Sequence, residues 1–494
     1  MWSGRGTGQG LPCQRVPLYA HATHLGGALK LIRQLSFIEV LALPVALMAP
    51  SAGMGLNTPF VAASAGAGVP FIYVLSTIGI GCVGAGFYRL SRRFSDAGSV
   101  YGLTKAAIGP RFGFIAGWCL ALVYVTFIGT LLAGFATFAD LLIVNVTGVN
   151  LPWPVMFLVG GAGIWALGYR KIELSTKVFL VLEGISIVLM FILAVVILVR
   201  GGDGGHSLSL KPLTPSGVAS GGLGGALVFG FLTYIGFEGS AVLGEESERP
   251  EIAIPLSLAA AVILAGLVFI VISYAQTVGF GTSAAGVNAY SSSAAPNTDL
   301  AGMYLGNWAA QATNVGAALS TFACALASAD GAARVVFSLA RDGRLPQSVS
   351  AIHPVHASPH RALNLSMVLG LVGGLAFFPF TDKPSDVYGW MGALATLAVI
   401  IAYGMTSVAA TIYFWKGDIA HRRYLYFIPT LIALPLLAYT FQAQILPLPP
   451  APLRYWPYAI GAYLVIGAVI LFAQRGKIIT RAIPPHDITT AGAV

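Results

Sequence analysis

The residues in this chain best placed to do chemistry are carboxylates set within apolar runs: Glu183, Glu238 and Asp330. Glu238 carries the strongest signal. It lies in the stretch Val228–Pro255, where glycine flanks it in Gly236-Phe237-Glu238-Gly239 and where Glu245, Glu246 and two prolines follow. A bilayer-spanning helix normally keeps every backbone N–H and C=O paired internally, because an unpaired one is costly in hydrocarbon. Glycines beside an ionisable side chain therefore predict a helix interrupted where it is buried or lines a watery cavity. Many secondary transporters build substrate and ion sites in this way. A carboxyl group there can load and release a proton as its hydration changes between conformations. The alternative is a structural clasp, in which Glu238 hydrogen-bonds freed backbone amides.

The elements that must position these groups follow from composition. The chain has 494 residues, 56% of them hydrophobic and 9% charged, with a mean hydropathy of +0.81. Soluble domains carry about 25% charged residues, so the chain reads as an all-α integral membrane protein. Twelve spans are predicted. They run over 35–65, 69–90, a third ending near 144, 154–167, 176–199, 222–246, 252–280, 305–339, 362–380, 387–414, 425–441 and 458–473. Residues 281–300 are expected to be an external loop. On this reading all but four of the 27 Lys and Arg fall on one side; the exceptions are Arg200, Lys211, Lys383 and Arg454. That is the positive-inside pattern. It places both termini in the cytoplasm and explains the net charge of +9 through orientation in a lipid bilayer, not nucleic acid. The domain reading is a tail over 1–34, a transport core of ten helices over 35–416, two further helices over 417–474 and a tail over 475–494. The first 30 residues lack the apolar region of a signal peptide.

The first span is also interrupted. Pro44 and Pro50 break it, and Ala49–Asn57 is too rich in glycine and proline to be expected to stay regular. Interrupted spans at matching places in two halves point to an inverted repeat, helices 1–5 against 6–10, with the binding site between the breaks.

Three stretches resemble the amino acid–polyamine–organocation (APC) superfamily of permeases. The first is FLTYIGFEGSAVLGEESERPEIAIP. The second is the Phe-x-x-Ala-Gly-x-x-Tyr element leading into Gly-Pro-x-x-Gly-Phe-x-x-Gly-Trp, between Arg92 and Trp118. The third is ASADGAARVVFSLARDGRLP, with Arg334 and the run Arg341–Pro346. The resemblance implies a leucine-transporter-like 5+5 inverted repeat with broken helices 1 and 6, plus two extra helices. It also implies that the amides of Ser51, Ala52, Gly53, Met54 and Gly55 receive a substrate carboxylate. Ala52 stands where a glycine is more usual. The carbonyls of Phe231, Leu232 and Tyr234 would receive the ammonium, and Phe231, Tyr234, Ile235 and Gly236 would shape the pocket around the substrate. Asp330 stands in the usual place of an Asn, which adds a titratable group. Some relatives carry a lysine in helix five in place of a sodium ion; here the nearest is Lys177, at the cytoplasmic end. Glu183 pairs either with Lys177 or with a neighbouring helix, or joins Glu238 and Asp330 in proton coupling. A sodium site using Ser328 is the rival to H+.

The function expected is secondary active transport of amino acids or related amines by alternating access, as proton symport, with exchange or a transporter-like nutrient sensor as alternatives. No cofactor and no metal site is expected. Cys13, Cys82, Cys119 and Cys324 lie far apart, and His353, His356 and His360 have no acidic or thiol ligand near them in sequence. An enzyme is set aside because no histidine falls within a span, and an ATP-driven pump because no Gly-x-x-x-x-Gly-Lys-[Ser/Thr] loop is present. Tyr124 reads either as a cavity-lining aromatic or as packing.

Overall fold

Proline and glycine punctuate the helices that carry the site. In the computed structural model, which describes residues 35–94, 98–169, 173–205, 208–244, 247–353, 358–416 and 423–474, helix α1 (Phe37–Met48) opens on a capping box. Ser36 N donates to Glu39 Oε2 at 2.9 Å, which satisfies one of the N–H groups a helix start leaves unpaired. The helix stops at Ala49, whose φ of 41° is left-handed, and α2 (Pro50–Ala65) begins immediately with proline at its first position. Proline disfavours helical geometry in the residue before it and tolerates the first helical turn itself, so Pro50 causes this break.

The break is narrower than the sequence predicts. Residues 50–65 form one continuous helix, and Gly53, Met54 and Gly55 are regular within it. Glycine costs about 1 kcal/mol in a helix interior, and close packing returns it here. A Cβ on Gly53 would lie 2.9 Å from Thr233 Cγ2, and one on Gly55 2.9 Å from Phe138 Cζ.

The chain then turns through Gly66–Gly68 into α3 (Val69–Ser91) and a short α4 (Val100–Ile108). Next come the long α5 (Pro110–Thr147), α6 (Trp153–Tyr169) and α7 (Glu173–Val199). Helix α8 (Leu223–Leu232) ends in a turn, and the chain resumes only as a 3₁₀ segment, Phe237–Leu243. Helix α9 (Pro250–Phe280) follows. Residues 281–300, expected as loop, contain α10 (Ala284–Ser292) and the first half of α11 (Pro296–Leu305). Ser283 Oγ caps α10 by accepting from Gly286 N, and proline opens α11. The long α12 (Asn307–Arg341), α13 (His360–Leu375), α14 (Pro384–Lys416), α15 (Arg423–Ala443) and α16 (Trp456–Ala473) complete the chain.

Helix α5 packs against both α12 and α14, α3 lies against α9, and α10 and α11 fold over α2. Outward faces stay apolar, as Ile263, Leu267, Val465 and Val469 show by their exposure. Among the described residues nine runs are long and apolar enough to cross a membrane. The first of them covers Phe37–Ser91, and Trp153–Tyr169 and Phe427–Ala443 are shorter apolar helices. The two tails, Glu245, Glu246, His356 and the side chain of Lys177 lie outside the described residues.

Candidate functional site

The turn between α8 and the 3₁₀ segment is built on Gly236, with φ of 101°, a conformation that L side chains rarely adopt. A Cβ there would also meet Leu47 Cβ of α1 at 2.4 Å. The two helix breaks therefore touch. The turn delivers Glu238 into the bundle, fully buried. Tyr124 OH of α5 donates to Glu238 Oε1 at 2.8 Å, Tyr403 OH of α14 donates to Oε2, and Gly236 N donates to Oε2 at 3.2 Å. Phe237 packs edge-on against Phe87 of α3 and Tyr403, which closes the apolar side. Burying a carboxylate costs several kcal/mol, and each hydrogen bond to a charged group returns roughly 1.5–3 kcal/mol. Three donors therefore meet a penalty of comparable size. Tyr124 was visible in the sequence as a candidate. Tyr403 was not: its only signal is a polar-tipped ring in an apolar helix, which needs a partner when buried.

Glu183 occupies the other break. Its Oε1 accepts from Ser51 N at 2.9 Å, and Ala52 N donates to Ser320 Oγ of α12 at 3.3 Å. Glu183 is 6% exposed. A neighbouring helix thus supplies its partner. The α1 end is tied to α12 as well, since Cys324 Sγ donates to Leu47 O at 2.8 Å. Beside Ser51 a narrow pocket opens, lined by Ser51, Gly55, Phe138, Ser186, Asn297 and Thr313 among others. Gln276 of α9 closes its neighbourhood. Its Nε2 donates to Met54 O at 2.8 Å and to Asn297 Oδ1 at 2.7 Å, while Tyr290 OH of α10 donates to its Oε1 at 2.6 Å.

Of the other residues expected to meet substrate, Phe231, Leu232, Tyr234, Ile235 and Gly236 are buried and lie outside this pocket's lining. Their carbonyls are engaged locally. Tyr234 N donates to Phe231 O, Ile235 N to Leu232 O and Phe237 N to Tyr234 O. Tyr234 OH bonds Thr77 of α3. Thr233 reaches α2 instead: Asn57 Nδ2 donates to Thr233 Oγ1 at 2.8 Å, and Tyr388 OH donates to Asn57 Oδ1 at 2.9 Å.

Asp330 is not brought near Glu183 or Glu238 by any direct bond; it pairs one turn along α12 with Arg334, at 2.9 Å. Ser328, on α12, is fully buried. Lys105, in the short helix α4, is buried. Its Nζ meets Asp342 Oδ2 at 2.5 Å, and Tyr101 OH donates to the same oxygen, so α4 is latched to the end of α12. His353 and His360 stack edge-on with ring centroids 5.3 Å apart. Among the described residues no group of three His, Cys, Asp or Glu is arranged to hold a metal ion.

Comparison with known proteins shows the family of the chain. The family model described as Amino acid permease matches residues 35–470. The chain is 25% identical over 322 residues to the branched-chain amino acid permease BcaP of Bacillus subtilis, covering 61% of this chain and 66% of that protein. It is 26% identical over 361 residues to the methylthioribose transporter of the same organism, covering 68% and 73%. It is 26% identical over 360 residues to the low-affinity putrescine importer PlaP of Escherichia coli, covering 70% and 74%.

Proposed function

The chain belongs to the amino acid permease family, within the APC superfamily, and on that premise we propose that it is a secondary transporter that moves amino acids or related amines by alternating access, with Glu238 as the proton-coupling group. The protein is integral to the membrane. The carrying observation is the pair of touching helix breaks, at Ala49 and at Gly236, each with a buried carboxylate on it. The twelve-span reading is supported by the nine apolar runs once the first is divided at Gly66–Gly68 and the two shorter helices are counted. The core is then 35–416, with helices one to five and six to ten as inverted repeats, and α15 and α16 are additions. Both termini are cytoplasmic. The Lys105–Asp342 pair closes the cytoplasmic end, and α10 and α11 cover the external end.

Glu238 suits a proton-coupling role because everything that holds it is a hydroxyl or an amide; among the described residues it has no cationic partner. A protonated Glu238 can remain in the same place with its hydrogen bonds rearranged, so loading a proton need not rupture an ion pair. The test is uptake into proteoliposomes with an inside-alkaline pH gradient. The wild type accumulates labelled substrate, whereas Glu238→Gln exchanges it without concentrating it. Full accumulation by the variant would move the coupling elsewhere, and Glu183 and Asp330 are the next carboxylates to replace.

A further inference from the structure

A buried charge needs a partner, and Arg344, just past the end of α12, lacks an anionic one among the described residues. It is 2% exposed. Its backbone is fully used: the N–H donates to Leu339 O at 2.8 Å, and the O accepts from Gln474 Nε2, at the end of α16, at 3.2 Å. Its guanidinium is not, for Nη1 has no hydrogen-bond partner. Asp342, two residues before it, is already held by Lys105 Nζ and Tyr101 OH. What the guanidinium meets is a ring. Its Cζ lies 5.6 Å from the ring centroid of Phe114 on α5, a contact that steadies a cation without neutralising it. Phe114 stacks on Trp118, and Trp118 on Tyr463 of α16. A buried charge without a counter-charge is strongly destabilising, so this position calls for an anion.

The level of the site says which kind. The apolar run Pro110–Thr147 begins here, and the runs Asn307–Arg341 and Leu453–Ala473 end here. Arg344 therefore stands where hydrocarbon gives way to water, at the depth of lipid headgroups. Large apolar side chains flank it on the same helix ends: Phe112 is 55% exposed and Phe472 60%. Helix α5 opens at Gly109 with no side-chain cap, so its first N–H groups also favour negative charge. Arg111, exposed, stands in that first turn. Gln474 Oε1, meanwhile, lacks a donor. A phosphodiester whose headgroup carries hydroxyl groups answers both needs, and basic pockets between helix ends bind such headgroups.

We propose that the ends of α5, α12 and α16 form a binding site for one anionic phospholipid, with its phosphate on Arg344 and its acyl chains along Phe112 and Phe472. On the topology given above the site lies in the cytoplasmic leaflet. It is separate from the substrate and from Glu238. The bound headgroup joins α16, outside the ten-helix core, to the turn that carries Asp342 of the Lys105 latch.

The experiment takes the purified full-length protein, freed of lipid in detergent, and three probes: a phosphatidylglycerol, a phosphatidylcholine with the same acyl chains, and inorganic phosphate. Native mass spectrometry counts bound lipid, and thermal midpoints read stabilisation. One phosphatidylglycerol is expected to bind at least tenfold more tightly than phosphatidylcholine and to raise the midpoint, which phosphate alone does not. Arg344→Gln is expected to lose most of that preference, and Arg344→Lys, which keeps the charge but not the fork of donors, at least threefold of it. Lys416→Gln, which removes an exposed cation at the end of α14, keeps it. If the glutamine variant does not fold, the lysine variant decides alone. Equal binding of the two lipids overturns the inference, as does an undiminished preference in the deciding variant or an equal loss in Lys416→Gln. Stabilisation by inorganic phosphate to the same extent as by phosphatidylglycerol overturns it in favour of a small soluble anion.

Discussion

The two helix breaks use opposite devices. At Ala49 the chain is interrupted for a single residue, and a new helix starts at once, its first free amides capped from other helices by Glu183 and Ser320. At Gly236 the chain turns for several residues and resumes as a 3₁₀ segment, and the carboxylate that closes the turn, Glu238, comes from the segment itself. A proline-made break needs a partner from elsewhere for the amides it exposes. A glycine-made break folds its own partner in. The first therefore ties α2 to α7 and α12, and should change only if those helices move. The second can be held or released by Tyr124 and Tyr403 with little change in its own turn.

The largest effect is expected where that second turn is forced. Gly236→Ala places a side chain at φ of 101° and against Leu47 Cβ. The left-handed backbone costs about 1–2 kcal/mol and overpacking about 1–3 kcal/mol, so a loss of about 3 kcal/mol is expected, read as a clear fall in thermal midpoint in detergent. A fall as small as that of a surface substitution would show that the two breaks do not depend on their contact.

The next effect concerns how Glu238 is held. Tyr403→Phe and Tyr124→Phe each remove one donor from a buried carboxyl group, with an expected cost of about 2 kcal/mol apiece. Because both hydroxyls serve one carboxyl group, the double variant should depart from the sum of the singles by at least 0.5 kcal/mol, the range seen for groups in one network. Strict additivity, measured by thermal midpoints of the four proteins, would mean that the hydroxyls act independently and that the turn is not a shared switch.

Much of this pair was legible beforehand, for definite reasons. Pro50 and the glycines around Glu238 are local signals, and each marks a break where the structure has one. What stayed hidden is non-local. Glu183 and Ser51 are 132 positions apart, and Tyr403 lies 165 positions from Glu238; no spacing rule within one helix reports such pairings. Glycine misled in the other direction at Gly53 and Gly55, where it reads as irregular backbone but permits close approach of Thr233 and Phe138 to an intact helix. Polarity misled over 281–300: the stretch looks like loop, yet a serine cap and a proline start give it two short helices.

The smallest expected effect lies at Ala49, and its near absence is what makes it informative. Ala49→Gly relieves a left-handed non-glycine backbone, a gain of about 1–2 kcal/mol. Against that stands the extra chain entropy of glycine, about 0.5–1 kcal/mol. A further cost of about 0.8 kcal/mol comes from losing a methyl group that is 3% exposed. The terms nearly cancel, so stability should change by less than about 0.5 kcal/mol, in contrast to the loss at Gly236. The reason is structural. The break at Ala49 is imposed by Pro50 and anchored by Glu183 and Ser320, so residue 49 itself is nearly free to vary. A loss above about 2 kcal/mol in Ala49→Gly would place the cause of the first break in the packing of the Ala49 methyl and not in Pro50, and the two breaks would then be alike in depending on the residue at the turn.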